Sequence, residues 1–201
     1  TIADSSSGGS FGAVFKAAGI DGMVVTGRAE RPVWLYITEQ GVEFHDASDL
    51  WGLLTHQTRD RLIAATHKKA AVASIGPAGE NGVPFAAIMN DNDRAAGRAG
   101  MGAVMGAKNL KAIAAYGERE VPVADPEGLK AFMKRLLILI DKNPVTGKSL
   151  QLLGTSVLVN VINAHGMFPT RNFQRGVFND AEGVSGEKIA ETILTRKSAC
   201  W

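Results

Sequence analysis

The chain has 201 residues, enough for one large domain or for one domain and part of a second. Its hydrophobic content of 45% and charged content of 21% are typical of a packed globular protein. The net charge is +2 and the basic residues are scattered, so we expect no nucleic-acid partner. No apolar run approaches the roughly 20 residues that cross a bilayer, and no signal peptide is visible, so we expect no membrane segment.

Both ends of the sequence suggest a piece of a longer protein. Thr1 opens the chain without an initiator methionine, and the chain stops one residue after its single cysteine, Cys200. One cysteine excludes an internal disulfide framework. We therefore expect a fragment whose cysteine has lost the partners that lie beside it in the parent protein.

The first part of the chain has the pattern of a β-rich fold with short helices. A turn rich in serine and glycine precedes an expected helix over about residues 10–18. Three β-branched or aromatic runs between residues 22 and 46, GMVVTG, VWLYIT and VEFHD, predict strands. Apolar spacing within residues 49–68 predicts a helix that begins near Thr55 or Thr58.

Further strands are expected in the middle of the chain. The runs AVASIG (71–76) and VPFAAIMN (83–90) predict buried strands joined by a turn at Gly-Pro-Ala-Gly. A helix over about residues 99–108 and a strand over residues 110–116 follow.

From Asp125 onward the sequence predicts helices only. Asp125 is a helix N-cap followed by proline at the first helical position, and Asn143-Pro144 ends that helix. Further helices are expected over residues 155–164 and 185–196. The predicted fold class is therefore α+β, with mixed β-sheet over about residues 20–117 and an all-helical segment after a boundary at residues 121–127.

The stretch 74–113 is the strongest functional signal. It contains closely spaced glycines and arginines: Gly97, Gly100, Gly102, Gly106, Arg94 and Arg98. The glycines indicate backbone brought very close to another helix or to a ligand. Guanidinium groups match phosphate oxygens bidentately, so glycines and arginines that open a helix indicate a phosphate-bearing cofactor. Tight packing of small residues between helices is the alternative that the pattern leaves open.

Other motifs carry weaker signals. Residues 100–106 read GxGxxxG, but about nine residues separate them from the preceding predicted strand, so a dinucleotide site is a minor alternative. The TGKS sequence at 146–149 lies between two helices and is interpreted as a linker rather than a P-loop. The four histidines share no metal-ligand spacing. Asp91 and Asp93 are close enough for acid–base work, although acidic residues in such a turn usually bind backbone.

Several segments together resemble the aldehyde:ferredoxin oxidoreductase family, tungsten enzymes that carry two pterin cofactors and an iron–sulfur cluster. The resemblance covers the whole chain. It rests on SSSGGSFGAVFKAAGIDGMVVTGRAERPVWLYI at the start, DASDLWG at 46–52, IGPAGEN at 75–81, FAAIMNDNDRAAGRAGMGAVMGAKNLKAIA at 85–114, VPVADP at 121–126, GTSVLVNVINAHGMFPTRNFQ at 154–174 and KSACW at 197–201.

The resemblance implies a division into two domains. Residues 1–120 correspond to the C-terminal part of a β-rich, pterin-binding N-terminal domain, and residues 121–201 begin a helical second domain. Cys200 matches the first cysteine of the family's C-x-x-C-x-x-x-C motif, which holds a [4Fe–4S] cluster. The remaining cluster cysteines and the catalytic acid–base residues are expected after Trp201.

The resemblance also implies where the pterin phosphates bind. Arg94 and Ala95 match the pterin loop, in which the alanine main-chain oxygen helps to hold a magnesium ion that bridges the two phosphates. Ser6 falls where a family member has an asparagine that supplies a second main-chain oxygen to this ion. The full set of cofactor-binding residues implied in this way is Ser6, Gly8, Gly9, Arg94, Ala95, Gly97, Arg98 and Gly100.

The implied reaction is the two-electron oxidation of an aldehyde to a carboxylic acid at tungsten. Molybdenum is the less favoured choice of metal. Electrons would leave through the [4Fe–4S] cluster to ferredoxin. The resemblance further implies a cytoplasmic protein that is a homo-oligomer or a complex subunit when full length. A non-catalytic cofactor-binding scaffold is the alternative of a different class, because the chain lacks three cluster cysteines and a catalytic acid–base pair. An NAD(P)-dependent dehydrogenase fragment is the third possibility.

Overall fold

The structure, a computed structural model, describes residues 2–197. The chain divides into two compact units, one that ends at Pro122 and one that begins at Val123. The first unit contains a β-sheet and short helices, and the second is helical. This arrangement confirms the predicted α+β class. That the two units are the domains implied by the family resemblance stays a prediction.

Six strands of the described residues form one mixed sheet in the first unit, and four helices accompany it. In chain order the elements are α1 (Phe11–Ala17), β1 (Val33–Thr38), β2 (Gly41–Asp46), α2 (Thr55–Ala65), β3 (Ala71–Ser74), α3 (Pro77–Glu80), β4 (Ile88–Asn90), β5 (Arg94–Ala96), α4 (Met101–Ala107) and β6 (Leu110–Ala115). The order of strands across the sheet is β2-β1-β6-β3-β4-β5. The last strand in sequence thus lies near the centre, and β2 and β5 form the two edges.

The direction of the strands argues against a dinucleotide-binding fold. Strands β1 and β6 are parallel, whereas each of the other described neighbours is antiparallel. A Rossmann domain requires repeated βαβ units with parallel strands. The sheet of this unit therefore removes the support for the dinucleotide alternative.

Alternating side chains of the strands build the core on both faces of the sheet. On β1, Trp34 belongs to a buried cluster with Leu62 of α2, while the adjacent Leu35 belongs to a second cluster with Met105 of α4. Helix α1 packs its phenylalanines near Ile37 at one end of the sheet. The period of two along the strand thus explains why α2 and α4 are accommodated on opposite sides.

Three predictions in the first unit differ from the structure. Residues 22–27 are exposed and do not form a strand. The β-branched residues in this run favour a strand only where a neighbouring strand pairs with them. The predicted strand 83–90 shortens to β4, since residues 84–87 run past α4. The Gly-Pro-Ala-Gly turn is helix α3, in which Pro77 occupies the first helical position.

The second unit contains α5 (Pro126–Lys142), α6 (Leu150–Leu153), α7 (Leu158–Ala164) and α8 (Gly186–Thr192). Asp125 caps α5 as predicted, because its carboxylate accepts a hydrogen bond from the Gly128 amide at 2.9 Å. Ser185 caps α8 in the same way. Helix α7 starts three residues later than predicted, after a tight 3-10 turn.

One helical stretch of the described residues, Val145–Ala164, is long and apolar enough to cross a membrane by length and composition alone. Gly154 interrupts this stretch with φ +62 and ψ −159, so the helices on its two sides are not continuous. A break in the middle of a span leaves main-chain groups that lipid cannot satisfy. The expectation that the chain has no membrane segment stays a prediction.

Candidate functional site

Two segments that are distant in the sequence lie side by side in the first unit. One is the serine loop, residues 5–10. The other is the arginine hairpin, residues 88–98, which comprises β4, the turn after it, β5 and the two residues that follow. Ser7 and Asn90 are 83 positions apart in the sequence, yet the Ser7 hydroxyl donates a hydrogen bond to Oδ1 of Asn90. The structure therefore brings together the two segments that the family resemblance assigned to one cofactor.

Side chains of the hairpin turn hold the serine loop. The Asn90 amide Nδ2 donates to the main-chain oxygen of Gly8 at 2.8 Å. The two carboxylate oxygens of Asp91 accept hydrogen bonds from the main-chain N–H of Ser10 at 2.6 Å and from its hydroxyl at 2.7 Å. Ser5 fixes the other end of the loop, because its Oγ accepts a hydrogen bond from the Arg98 amide at 3.0 Å.

The hairpin itself depends on an unusual backbone conformation at Asp91. Residues Asn90 and Arg94 pair across the turn, and Asp91 has φ +52, a left-handed conformation that aspartate tolerates better than most residues. The acidic turn therefore shapes the backbone and holds the loop. This is the backbone-binding role that the sequence favoured for Asp91 over acid–base chemistry.

Arg94 lies at the junction of the two segments. Its side chain is 17% exposed, and its Nε is 3.7 Å from the Asp93 carboxylate. A Cβ added to Gly9 would come within 2.9 Å of Arg94 Cγ, so the aliphatic stem of the arginine lies directly against the loop. Glycine at this position permits that approach, and its φ of +99 is one that side-chain-bearing residues rarely adopt.

The hairpin also presents main-chain groups at the edge of the sheet. Strand β5 is an edge strand, so alternate N–H and C=O groups along one side of it are not used by the sheet. Ala95, Gly97 and Arg98 are exposed, as are Ser6 and the two glycines of the loop, Gly8 and Gly9. The predicted site residues of both segments thus share one accessible region.

The glycines at positions 100, 102 and 106 fit the tight-packing alternative that the sequence left open. A Cβ at Gly102 would lie 2.5 Å from the Ala87 oxygen, and one at Gly106 would come far closer than 3.0 Å to the Gly79 oxygen. Gly100 is buried against the Pro84 main chain with φ +69. Close backbone approach was predicted, and the neighbour within the described residues is this chain's own backbone. The cofactor-binding role of Gly100 stays a prediction. Tight packing explains why these three positions are glycine.

The remaining sequence candidates contribute little to this region. Cys200 lies outside the residues that the structure describes. Within residues 2–197 no group of three or more His, Cys, Asp or Glu could hold a metal ion. His45 stacks on Trp34 with ring centroids 4.3 Å apart, and His67 packs on Tyr116 at 3.8 Å, so both have packing roles. The TGKS sequence lies in an irregular helical turn between α5 and α6, which agrees with a linker.

Asn90 is the residue that the sequence did not single out. It is 5% exposed, and both ends of its amide bind the serine loop. A buried asparagine in a strand is uncommon, because the amide needs hydrogen-bond partners there. That single signal, an asparagine that ends an apolar run, could have indicated a polar contact with a distant segment.

The sequence matches two profiles of one family. The profile of the aldehyde ferredoxin oxidoreductase N-terminal domain covers residues 1–117, and the profile of domains 2 and 3 of the same family covers residues 131–201. The tungsten-containing aldehyde ferredoxin oxidoreductase of Pyrococcus horikoshii is 49% identical over the whole chain, which spans 33% of that protein. The aliphatic sulfonate oxidoreductase WOR-like subunit of Pyrococcus furiosus is 40% identical over 61% of the chain and 22% of its own length.

A solved structure has the same fold. The active site complex of benzoyl coenzyme A reductase with 1,5-dienoyl-CoA is 29% identical and superposes with a TM-score of 0.77 over 98% of this chain and 32% of that one. The chain therefore spans about a third of the length of the relatives that it matches. Both profiles agree with the resemblance seen in the sequence, and the chain belongs to the aldehyde ferredoxin oxidoreductase family of oxidoreductases.

Proposed function

We propose that the serine loop and the arginine hairpin hold the phosphate ends of the pterin cofactor of a tungsten oxidoreductase. The single observation that carries this proposal is the hydrogen bonding of the two segments to each other around Arg94. The donor set suits a phosphate group. Two arginines, Arg94 and Arg98, supply cationic donors, and the loop and the edge strand supply main-chain N–H and C=O groups.

The main-chain oxygens of Ser6 and Ala95 suit a magnesium ion between two phosphates. Magnesium prefers oxygen ligands and keeps phosphates and water in its coordination shell. Both residues are exposed and lie on the two segments that the hydrogen bonds join. Because the proposed ligand is a main-chain oxygen, serine serves at position 6 as well as any other side chain.

Within this site, Gly8, Gly9 and Gly97 would let the backbone pass close to the cofactor. A Cβ at Gly97 would meet the Ala95 Cβ only at 3.9 Å, so space remains on that side of the hairpin among the described residues. Gly9 already receives the Arg94 stem. Gly100 has no side chain and can contribute only through its main chain. The Pro84 main chain occupies the space where a side chain at position 100 would lie.

In the full-length protein, the tungsten pterin would supply the two-electron chemistry that converts an aldehyde to a carboxylic acid. The described residues bind and orient this group. Cys200 would be one thiolate ligand of a [4Fe–4S] cluster that passes the electrons to ferredoxin, as the family name suggests. Location in the cytoplasm and assembly into an oligomer or complex belong to the same proposal. Full-length Cys200→Ser should then lose iron.

Replacing Arg94 tests the phosphate site. Losing a charge-assisted hydrogen bond costs about 1.5–3 kcal/mol, so full-length Arg94→Ala should hold tungsten and pterin roughly 10- to 100-fold more weakly. Tungsten and pterin per chain are measured after gel filtration. Arg59→Ala is the matched control, because Arg59 is 28% exposed and pairs with Asp60 on α2, away from the hairpin. Equal cofactor content in Arg94→Ala and wild type would refute the site.

A further inference from the structure

We propose that Asn90 and Asp91 are positioning residues that hold the serine loop in register with Arg94. Their side chains would bring the Ser6 main-chain oxygen and the Arg94 guanidinium to the same phosphate-bearing ligand. This inference rests on the proposed function and deepens it. Neither residue needs to touch the cofactor itself.

The serine loop has little structure of its own. Residues 2–8 have no helix or strand assignment, and the following two residues form only a bend. A segment without regular secondary structure is placed by what it binds, since otherwise its conformational entropy keeps it mobile. The bonds to the arginine hairpin therefore decide where residues 5–10 lie.

The hydrogen bonds fall on both sides of Ser6. Ser5 binds the Arg98 amide, Ser7 binds Asn90, and the Gly8 oxygen accepts from the same asparagine. Within the described residues, the main chain at Ser6 is thus fixed by its neighbours rather than by its own side chain. This explains physically how position 6 can change identity while its carbonyl stays in place.

Asn90 is specific for this role because it uses both halves of its amide. Oδ1 accepts from the Ser7 hydroxyl, and Nδ2 donates to the Gly8 oxygen at 2.8 Å. Aspartate at this position would set a carboxylate against a carbonyl oxygen with no donor between them. The side chain is almost fully buried, so water cannot replace the lost bonds.

Asp91 fixes the far end of the loop beside Arg94. Its carboxylate receives both the N–H and the hydroxyl of Ser10, and a Cβ at Gly9 would collide with the same carboxylate and with the Arg94 stem. The loop is therefore seated between Asp91 and Arg94. Moving Ser10 away from Asp91 would change the position of Gly9 and, with it, the direction of the arginine.

The test compares cofactor retention among full-length variants. In Asp91→Ala we expect tungsten and pterin to be released about tenfold faster than in wild type during dialysis. Asp91→Asn should restore slow release, because its amide oxygen can accept from the Ser10 N–H and its amide nitrogen can donate to the Ser10 Oγ. Asp46→Ala is the matched control: Asp46 accepts the Ser48 N–H at 2.7 Å in the same way, but on β2 at the opposite edge of the sheet.

Release as slow in Asp91→Ala as in Asp46→Ala would overturn the inference, provided that Arg94→Ala releases its cofactor. If Arg94→Ala also retains it, the proposed function itself fails, so the two failures are distinguishable. Ser7→Ala covers the case in which Asp91→Ala does not fold. Ser7 is exposed and its hydroxyl bonds Asn90, so its loss should speed release several-fold in a chain that still folds. Release at the wild-type rate in that variant also contradicts the inference.

Discussion

Breaking the buried ion pair between Lys111 and Glu80 should strongly destabilise the first unit. Lys111 lies on β6 with a fully buried side chain, and Glu80 of α3 is 4% exposed. The Lys111 ammonium donates to Glu80 and to the Leu53 oxygen at 2.9 Å, while the second Glu80 oxygen accepts the Gly52 amide at 2.8 Å. One pair of charges thus joins the sheet, α3 and the loop before α2.

The magnitude follows from leaving one charge without its partner. Removing one member of a buried pair typically costs about 3–5 kcal/mol, because the remaining charge stays desolvated. Glu80→Gln leaves the Lys111 ammonium with a neutral amide and one carbonyl. Lys111→Met leaves the Glu80 carboxylate with only the Gly52 N–H of the described chain as a donor. In each case we expect the free energy of unfolding to fall by about 3–5 kcal/mol.

The double variant separates this effect from general damage. Lys111→Met combined with Glu80→Gln removes both charges and should cost much less than the sum of the two single changes. Urea unfolding is followed by tryptophan fluorescence, to which the buried Trp34 contributes. Glu118→Gln is the surface control, since the pair of Glu118 with Lys69 is exposed and should matter little. Single variants no less stable than this control, or full additivity in the double variant, would refute the reasoning.

Two further predictions concern the rest of the sheet unit. Gly106→Ala should lower the free energy of unfolding, measured by thermal melting, by about 1–3 kcal/mol, because its new Cβ overlaps the Gly79 oxygen. Gly12→Ala is the control and should not destabilise, because open space surrounds its Cβ position in the described chain. The Ser48 hydroxyl and N–H hold the pKa of the Asp46 carboxyl below its usual range. Because the folded-state pKa is lowered, this stabilisation is present above the unfolded-state pKa and is lost as the pH falls through the folded-state value. Ser48→Ala should raise the pKa of Asp46 in a carboxyl NMR titration, and an unchanged pKa would contradict that cause.

Much of the fold could be predicted from local pattern. Strands β1, β3 and β6 are apolar runs of the right length, and Asp125-Pro126 marks the start of α5 by its capping chemistry. Strand β5 could not be predicted, because Arg-Ala-Ala carries no strand signal. It forms only since the Asp91 turn folds it back onto β4.

The two segments of the proposed site could be selected from the sequence, but their contact could not. The family resemblance implied roles for Ser6, Arg94 and Ala95, and these roles stay predictions. The contact between the two segments depends on hydrogen bonds across 82 positions, such as that from Asn90 to Gly8. Local patterns carry no information about such pairs. The glycines of α4 show the same limit, because a glycine reports a close approach without identifying the neighbour.

The most direct test of the central claim is a structure of the full-length protein with its cofactor bound, at a resolution that shows phosphate groups. We expect phosphate oxygens within hydrogen-bond distance of the Arg94 guanidinium. The main-chain oxygens of Ser6 and Ala95 should face one cation between two phosphates, with the serine loop on Asn90 and Asp91 as it is here. Pterin phosphates bound elsewhere, with the arginine hairpin packed against another protein segment, would contradict the account.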